Sequence, residues 1–302
     1  MPVAPPRRRQ LLAVLALAAT LSACASAPAP RSGDADPRQA DNAASGEPRR
    51  HVAMVLLSEP RLPPGDAVGA AYREMEHLPP AATPSQVEGD KQVMSVVVEP
   101  GVVAAIGLMP MPVPDGEADE LAKYSVAVVG GLEELAPHRA HLVVLLTDER
   151  SATAFESASR LISLLAAIAE ATPSVGVYYG EGNVTHPRST FLSVAREGDP
   201  ASRAVLWSGI SVAPDPADRD RYSFLSLGMG ALGLPELLLS AKDTPAPEAV
   251  AYFFDLLSYV GARGEPLPEG DTVGRSETEK RPVHYVASPT EPGEKVWRVE
   301  LD

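Results

Sequence analysis

The chain has 302 residues, a single cysteine and a formal net charge of −14 at pH 7. A protein this acidic is poorly suited to bind nucleic acid or an anionic membrane surface through its own electrostatic field. One cysteine also excludes an internal disulfide and a zinc site built from several thiolates.

The first residues have the pattern of a bacterial lipoprotein signal. Three arginines precede an apolar run from Leu11 to Leu21, which is shorter than the roughly 20 residues of a membrane-spanning helix. The run ends in a Leu-Ser-Ala-Cys string that closes at Cys24 and resembles the lipobox, whose cysteine receives a diacylglycerol. We therefore expect residues 1–23 to be a signal peptide and Cys24 to be lipidated; an ordinary signal peptide is the alternative.

Lipidation of Cys24 would place the domain in the cell envelope. Each buried methylene of an acyl chain such as palmitate contributes about 0.8 kcal/mol of membrane affinity, so two or three chains hold a protein firmly on a bilayer. Ala25 is not an inner-membrane retention aspartate, which favours the outer membrane over the inner. Loss of the signal removes three arginines and no acid, so the net charge of −14 becomes −17.

Residues 24–49 are expected to be a disordered linker. After Cys24 they contain no valine, leucine, isoleucine, methionine or aromatic residue, so they cannot bury a core. A flexible chain of this length has an r.m.s. reach of about 25–30 Å. The globular domain is expected over residues 50–275, and residues 276–302 are a C-terminal extension with room for two strands.

Hydrophobic periodicity predicts a β-α-β-β-α-β order in the first half of this domain. The predicted strands cover 51–58, 93–98, 102–109 and 141–146, and the predicted helices cover 66–77 and 118–135. Pro100-Gly101 is the turn between the second and third strands. This is the order of a split βαβ, or ferredoxin-like, module.

The second half predicts a related series of elements. The helices cover 153–171, 187–196 and 248–260, and the strands cover 175–179, 204–212, 222–227, 234–240, 283–287 and 296–301. The predicted fold is therefore α+β, with two ferredoxin-like modules that have either separate sheets or one shared sheet.

Several short strings carry a resemblance to a known family. They are LMPMPVP at 108–114, AHLVV at 140–144, GVYY at 176–179, LW at 206–207, GLPE at 233–236 and EGDTVG at 269–274. In this order they resemble the bacterial family called domain of unknown function 4261, over roughly residues 50–275. The approach to Glu236 reads SLGMG, where the family is richer in threonine and glycine, and most members look cytosolic. The resemblance implies no activity, because the family's function is unassigned.

Residues 228–233 match the G-x-G-x-x-G pattern of dinucleotide-binding loops. Such a site needs a helix that begins among the glycines, so that its N–H groups meet the pyrophosphate. Pro235 and a short apolar run follow instead, and an envelope protein has no access to cytosolic cofactors. We interpret the segment as a connection between strands and expect no cofactor.

His138 and His141 form an H-x-x-H pair at the start of a predicted strand. Residues three apart in a strand point to opposite faces, and a zinc site would need a third ligand that no nearby residue supplies. A satisfied structural histidine is therefore favoured for His141 over a metal ligand, and no metal is expected.

Four residues remain as candidates for ligand binding or another function: His141, Trp207, Glu236 and Asp271. Glu236 is a carboxylate beside an apolar run, so it is either an acid with a raised pKa or a strand-end acid in solvent. Asp271 fits a glycine-flanked turn, and Trp207 fits a core or a ligand platform. No residue is assigned a catalytic role.

Two functions follow from these observations. The first is a membrane-tethered, non-enzymatic binding domain with a protein partner in the envelope, because the chain combines an anchor, an acidic surface and no reactive constellation. The alternative is a hydrolase-like enzyme that uses Glu236 and His141.

Overall fold

The protein is described by a computed structural model that covers residues 48–79, 87–129, 133–197, 202–215, 218, 220–276 and 278–301. The expected signal peptide, Cys24 and all but the last residues of the expected linker lie outside these ranges. Within them, no helix is long and apolar enough to cross a membrane.

The first part of the described chain contains five strands and three helices, with short 3-10 helices on either side of α2. The strands are β1 (Arg49–Leu57), β2 (Val87–Gly89), β3 (Val93–Glu99), β4 (Val102–Met109) and β5 (Ala140–Asp148), and the helices are α1 (Gly65–Met75), α2 (Glu117–Leu121) and α3 (Val126–Val129).

The rest of the chain contains nine strands and three helices among the described residues. The elements are α4 (Ala154–Ala171), β6 (Ser174–Tyr179), β7 (Val184–Pro187), α5 (Arg188–Glu197), β8 (Gly209–Pro214), β9 (Arg221–Leu227), β10 (Leu237–Lys242), α6 (Ala246–Arg263), β11 (Thr272–Val273), β12 (Arg281–Pro282), β13 (His284–Ala287) and β14 (Lys295–Leu301).

The larger sheet has seven strands in the order β2-β3-β4-β5-β1-β6-β7. Every neighbouring pair in it is antiparallel. Alternate residues of the central strands point to the same side of the sheet. On the inner face these residues are apolar and fully buried, as Val55, Leu142 and Ile106 show. They belong to one core cluster with Leu161 and Leu165 of α4.

Helix α4 begins where the sequence predicts it, at a capping box. The hydroxyl oxygen of Thr153 accepts the backbone N–H of Glu156 at 3.1 Å, and the Glu156 carboxylate accepts the backbone N–H of Thr153 at 3.4 Å. This arrangement satisfies two of the N–H groups that the first turn leaves without helical partners.

The smaller sheet has five strands in the order β13-β14-β10-β9-β8, and β14 runs parallel to β10. Trp297, Val299 and Leu301 of β14 are buried in the same core cluster as Phe253 of α6. Strand β14 therefore lies inside the sheet, and the chain after residue 275, which was expected to be an extension, is part of the folded domain.

The α+β fold class is confirmed, but the topology differs from two ferredoxin-like modules. A split βαβ unit needs parallel strands, whereas β1 pairs antiparallel with both β5 and β6. The halves also do not correspond to the sheets, because β6 and β7 complete the seven-stranded sheet while β8 starts the five-stranded one. The pattern of apolar residues predicts strands but carries no information about which strands become neighbours.

The predicted helix over 118–135 is wrong. The described part of the segment forms α2, a 3-10 turn and α3, and residues 130–132 lie outside the described ranges. The break falls at Ser125, whose backbone is extended with φ −65° and ψ 140°. Its hydroxyl accepts the N–H of Ala127 at 3.3 Å and lies 2.9 Å from Nδ1 of His186. Serine competes with the helix backbone in this way because its side chain offers an alternative hydrogen bond.

The predicted strand over 204–212 is only half right. Its first part is a 3-10 helix at Ser202–Leu206, closed by the N–H of Trp207, which donates to the carbonyl oxygen of Ala204 at 3.2 Å. The strand begins at Gly209, whose N–H donates to the carbonyl oxygen of Gly182 at 2.8 Å.

Candidate functional site

Glu236 closes the glycine-rich connection between β9 and β10. Its carboxylate accepts the N–H of Gly228 at 2.7 Å and the hydroxyl of Ser226, and it is also hydrogen-bonded by the N–H groups of Met229 and Gly230. Gly228 has a φ of 115° and is followed by a 3-10 helix at Met229–Leu232. The N–H groups that a bound phosphate would require therefore already bind a carboxylate of the same chain.

The Glu236 carboxyl is held in two opposing ways. Burial raises the pKa of Glu236, whereas the hydrogen bonds from Ser226 and from three backbone N–H groups lower it. Burial has the larger effect, so the net pKa is about 7. The residue as a whole is half-buried and lies directly before the first residue of β10. A carboxyl with a pKa near neutrality could move a proton, but here its lone pairs are used to hold a loop.

The pH dependence of stability should report this carboxyl. Because its pKa in the folded protein lies above the ordinary value of 4.5, the folded state is penalised as pH rises from about 4.5 to about 7, where the unfolded chain ionises first. One pKa unit corresponds to about 1.4 kcal/mol, so a shift from 4.5 to about 7 limits the loss to about 3.5 kcal/mol. We expect Glu236→Gln to abolish this loss of stability. The measurement is the urea midpoint of unfolding at pH 4.5, 6 and 7.5. The control is Glu248→Gln, at an exposed position in the first turn of α6. If Glu236→Gln left the pH profile unchanged, folding would not raise the pKa of Glu236.

Trp207 is a core residue. It is 2% exposed and makes an edge-to-face contact with Phe155, with ring centroids 4.2 Å apart. The contact is possible because Gly261 of α6 has no side chain, since a Cβ there would lie 2.3 Å from the Phe155 ring. The core alternative for Trp207 is thus the one that the structure favours over a ligand platform.

The turn between β6 and β7 joins the two sheets by direct backbone contact. A Cβ on Gly182 would lie 2.0 Å from the carbonyl oxygen of Trp207, and one on Gly228 would lie 2.4 Å from the α-carbon of Gly182. The glycines at 182 and 228 are therefore required by the close approach of three chain segments, and the glycine-rich loop next to Glu236 serves this approach.

A buried polar cluster that the sequence pattern does not predict lies beside this turn. His51 is 3% exposed, and its Nδ1 lies 3.7 Å from Oε2 of Glu181. The same Glu181 oxygen accepts the hydroxyl of Tyr179 at 3.0 Å. The pKa of Tyr179 is raised mainly by burial and, to a smaller extent, by the nearby charge of Glu181. The sequence did contain a signal, because His51 is in phase with Ala53 and the other core-facing residues of β1.

His138 and His141 hold the segment that follows β4 against the outer face of the seven-stranded sheet. Nε2 of His138 accepts the N–H of Val113 at 3.0 Å, and Nδ1 of His141 lies 2.9 Å from the carbonyl oxygen of Met111. Burial, only partly offset by Asp119, lowers the pKa of His138, which keeps its ring neutral and able to accept. Within the described ranges no group of three or more His, Cys, Asp or Glu side chains could hold a metal ion.

Asp271 lies in a turn, as its flanking glycines predict. Its carboxylate accepts the N–H of Thr272 at 2.8 Å, and its carbonyl oxygen accepts the N–H of Val283 at 2.8 Å. This pairing leads the chain into β11 and β12.

The candidate residues are not assembled in one place. His141 binds the carbonyl of Met111 on the larger sheet, while Glu236 binds the Gly228 turn on the smaller sheet. Trp207 and Glu236 are connected through the Gly182 and Gly228 backbones, whereas the carboxylate of Asp271 accepts the N–H of Thr272 next to it. The structure therefore does not form the Glu236–His141 pair that the enzymatic alternative needs.

Comparison with known proteins gives a match to a family model. The model of the family described as domain of unknown function (DUF4261) matches residues 225–300. No curated protein matches the chain, and no solved structure matches it. The matched residues run from β9, through Glu236 and Asp271, to β14, and they extend beyond residue 275. The resemblance inferred from the sequence is thus confirmed over residues 225–300, where the chain is similar to DUF4261, and the match does not cover residues 50–224, to which the inferred resemblance also extended.

Proposed function

We propose that this chain is a non-enzymatic binding protein of the cell envelope, held on a membrane by a lipid on Cys24. The lipobox string, the basic start and the polar linker support the tether. The absence of a Glu236–His141 pair in the described structure argues against the hydrolase alternative. One surface of the domain carries the binding role.

This surface, which we name the open face, is the outer side of the seven-stranded sheet between β3 and β1. Its apolar members are Val52, Val97, Val103, Ala105, Val143 and Leu145, and each of them is exposed or half-buried. Val52 is 41% exposed. A Cβ added to Gly107, in the middle of the face, would meet nothing within 4 Å.

The strands beneath the open face have the sequences of strands covered on both sides. An antiparallel sheet with one wet face normally alternates apolar and polar residues, whereas strands buried on both faces are continuously apolar. Strand β4 reads VVAAIGLM, and β5 reads AHLVVLLTD. The inner face accounts for half of these residues, and His141 is covered by the segment at Met111. The remaining outward apolar residues call for a binding partner.

The chain's own N-terminal linker is a poor candidate for covering this face. Residues 25–49 offer no valine, leucine, isoleucine, methionine or aromatic side chain. A partner protein with an apolar surface in the envelope fits better, and a bare anionic bilayer is disfavoured by the negative net charge.

Native gel electrophoresis of the full chain, produced with its signal and extracted from membranes in mild detergent, tests this function. We expect the parent chain above its monomer size. Val143→Glu should reduce it to the monomer, because a desolvated carboxylate opposes binding. Tyr259→Glu, at a 51% exposed position on α6, should leave the complex intact.

The outcome that contradicts a binding role is a parent chain that migrates as a monomer, or two glutamate variants that behave alike. Labelled fatty acid tests the tether in the same cultures. The parent is expected to incorporate it, and Cys24→Ala is not; a labelled Cys24→Ala chain would refute the anchor.

A further inference from the structure

Resting on this proposed function, we propose that the partner on the open face is a second copy of this chain. The two seven-stranded sheets pack face to face about a two-fold axis that runs parallel to β4, in the plane of the interface. Such an interface is isologous, so the same surface must be complementary to itself.

The side chains along the axis permit this packing. Val103, Ala105 and Gly107 point outward from β4 in succession, and they are small and uncharged. Sheets in face-to-face contact lie about 10 Å apart, and small side chains along the axis allow the two β4 strands to approach each other. Interfaces between identical subunits are more apolar than the rest of the surface, which fits the composition of this face.

The charges at the two edges of the face are complementary across this axis. Register pairs Glu88 of β2 with Ser95, and Val52 of β1 with Leu145, so Glu88 lies at one edge of the face. Arg50 lies two residues before Val52 at the opposite edge and is exposed. An axis along β4 reverses the order of the strands, which brings the Glu88 edge of one copy over the Arg50 edge of the other. Without its signal the chain has a net charge of −14 − 3 = −17, so a face without excess acid is also where two copies repel each other least.

The start of β1 supports the same axis direction. The described part of the chain enters the sheet at Arg49, directly after the expected linker. A two-fold axis parallel to the strands keeps the first residues of both β1 strands at the same end of the dimer, so both lipids reach one membrane. An in-plane axis perpendicular to the strands would send the two linkers in opposite directions. Confinement to one membrane also raises the effective concentration of the second copy.

Cross-linking of the full-length, membrane-bound chain tests the proposal. Cys24 is the sole cysteine, and lipidation consumes its thiol, so one added cysteine provides one reactive group. Ala105→Cys lies on the axis, where a short bis-maleimide can join two sheets about 10 Å apart. We expect a covalent homodimer from Ala105→Cys, and only monomer from the exposed Tyr259→Cys and from the parent chain.

The other outcomes separate this inference from the proposed function. An Ala105→Cys thiol that reacts fully with a monofunctional maleimide, but gives no dimer, would show an unoccupied face and overturn both. A product joined to a different protein, or a thiol that is protected without forming a homodimer, would overturn the second copy and retain the binding role. A homodimer of equal yield from Tyr259→Cys would also overturn the proposal, because it would indicate collisions.

Discussion

Replacement of Gly182 by alanine is expected to destabilise the protein by about 3–5 kcal/mol, which is among the largest effects of a single substitution. The added Cβ would lie 2.0 Å from the carbonyl oxygen of Trp207 and 2.5 Å from Cδ1 of Tyr179. Both obstacles are fixed, because one is main chain and the other is a buried ring. The backbone must therefore move apart, and packed interiors accommodate such insertions poorly.

The effect should reach both sheets, since Gly182 lies at their junction. Its carbonyl oxygen accepts the N–H of Gly209 in β8, and its backbone packs against the Gly228 turn next to Glu236. Urea unfolding followed by circular dichroism measures the free energy, and hydrogen exchange should show faster exchange in both β7 and β8.

The matched control is Gly230→Ala in the neighbouring 3-10 helix. A Cβ at that position would meet nothing within 4 Å, and Gly230 is not among the residues with positive φ. We expect a change within about 0.5 kcal/mol, as at an ordinary surface position. Equal effects of the two substitutions would mean that the close contact at Gly182 does not exist.

The sequence predicts the elements whose periodicity is strong and local. The helix predicted over 153–171 is α4 at Ala154–Ala171, because its apolar stripe lies within one continuous segment. The strands β1, β3, β4 and β5 were also predicted within about two residues. Each of these strands is a run of apolar residues, and such a run can be recognised in the sequence without knowledge of its neighbours.

The sequence does not reveal contacts between distant segments. Leu121 and Ala118 have helical spacing, but they are used by a short helix that covers Leu56 and Tyr178 on the outer face of the sheet. The parallel pairing of β10 with β14 joins strands separated by more than fifty residues. The partner of His141 is hidden for the same reason, because Met111 lies 30 residues away in the chain. The partners Ser226 and Gly228 of Glu236 lie within 10 residues of it, but the pattern of residue types does not show that this loop folds back onto its side chain.

Loss of the Asp148 carboxylate is expected to cost about 3 kcal/mol at pH 7, because it leaves a partly buried arginine without its partner. The side chain of Asp148 is fully buried and accepts the N–H groups of Arg150 at 2.8 Å and Ser151 at 3.1 Å. The Ser151 hydroxyl also donates to it, and the guanidinium of Arg160 lies 3.3 Å away. Asp148→Ala removes the carboxylate and leaves these four donors without their acceptor.

The sign of the pH dependence identifies the mechanism. Burial alone would raise the pKa of Asp148, but the bonds from Ser151 and Arg150 and the charge of Arg160 together lower it below 3.8. A lowered pKa stabilises the folded state above the ordinary value, and this contribution is lost as pH falls through the folded value. The difference between the parent and Asp148→Ala should therefore be constant from pH 7 to about pH 5 and shrink below pH 4.

Asp255→Ala is the control for an ion pair without burial. The carboxylate of Asp255 lies 2.8 Å from the guanidinium of Arg275, but its side chain is 63% exposed. Exposed pairs contribute about 0–1 kcal/mol, since water screens the charges and both side chains lose freedom. At pH 7, Asp148→Ala should therefore unfold at a much lower urea concentration than Asp255→Ala. If the two variants were equally stable, the distance between charge partners would matter more than their burial, and the network around Asp148 would not be what holds the end of β5 to α4.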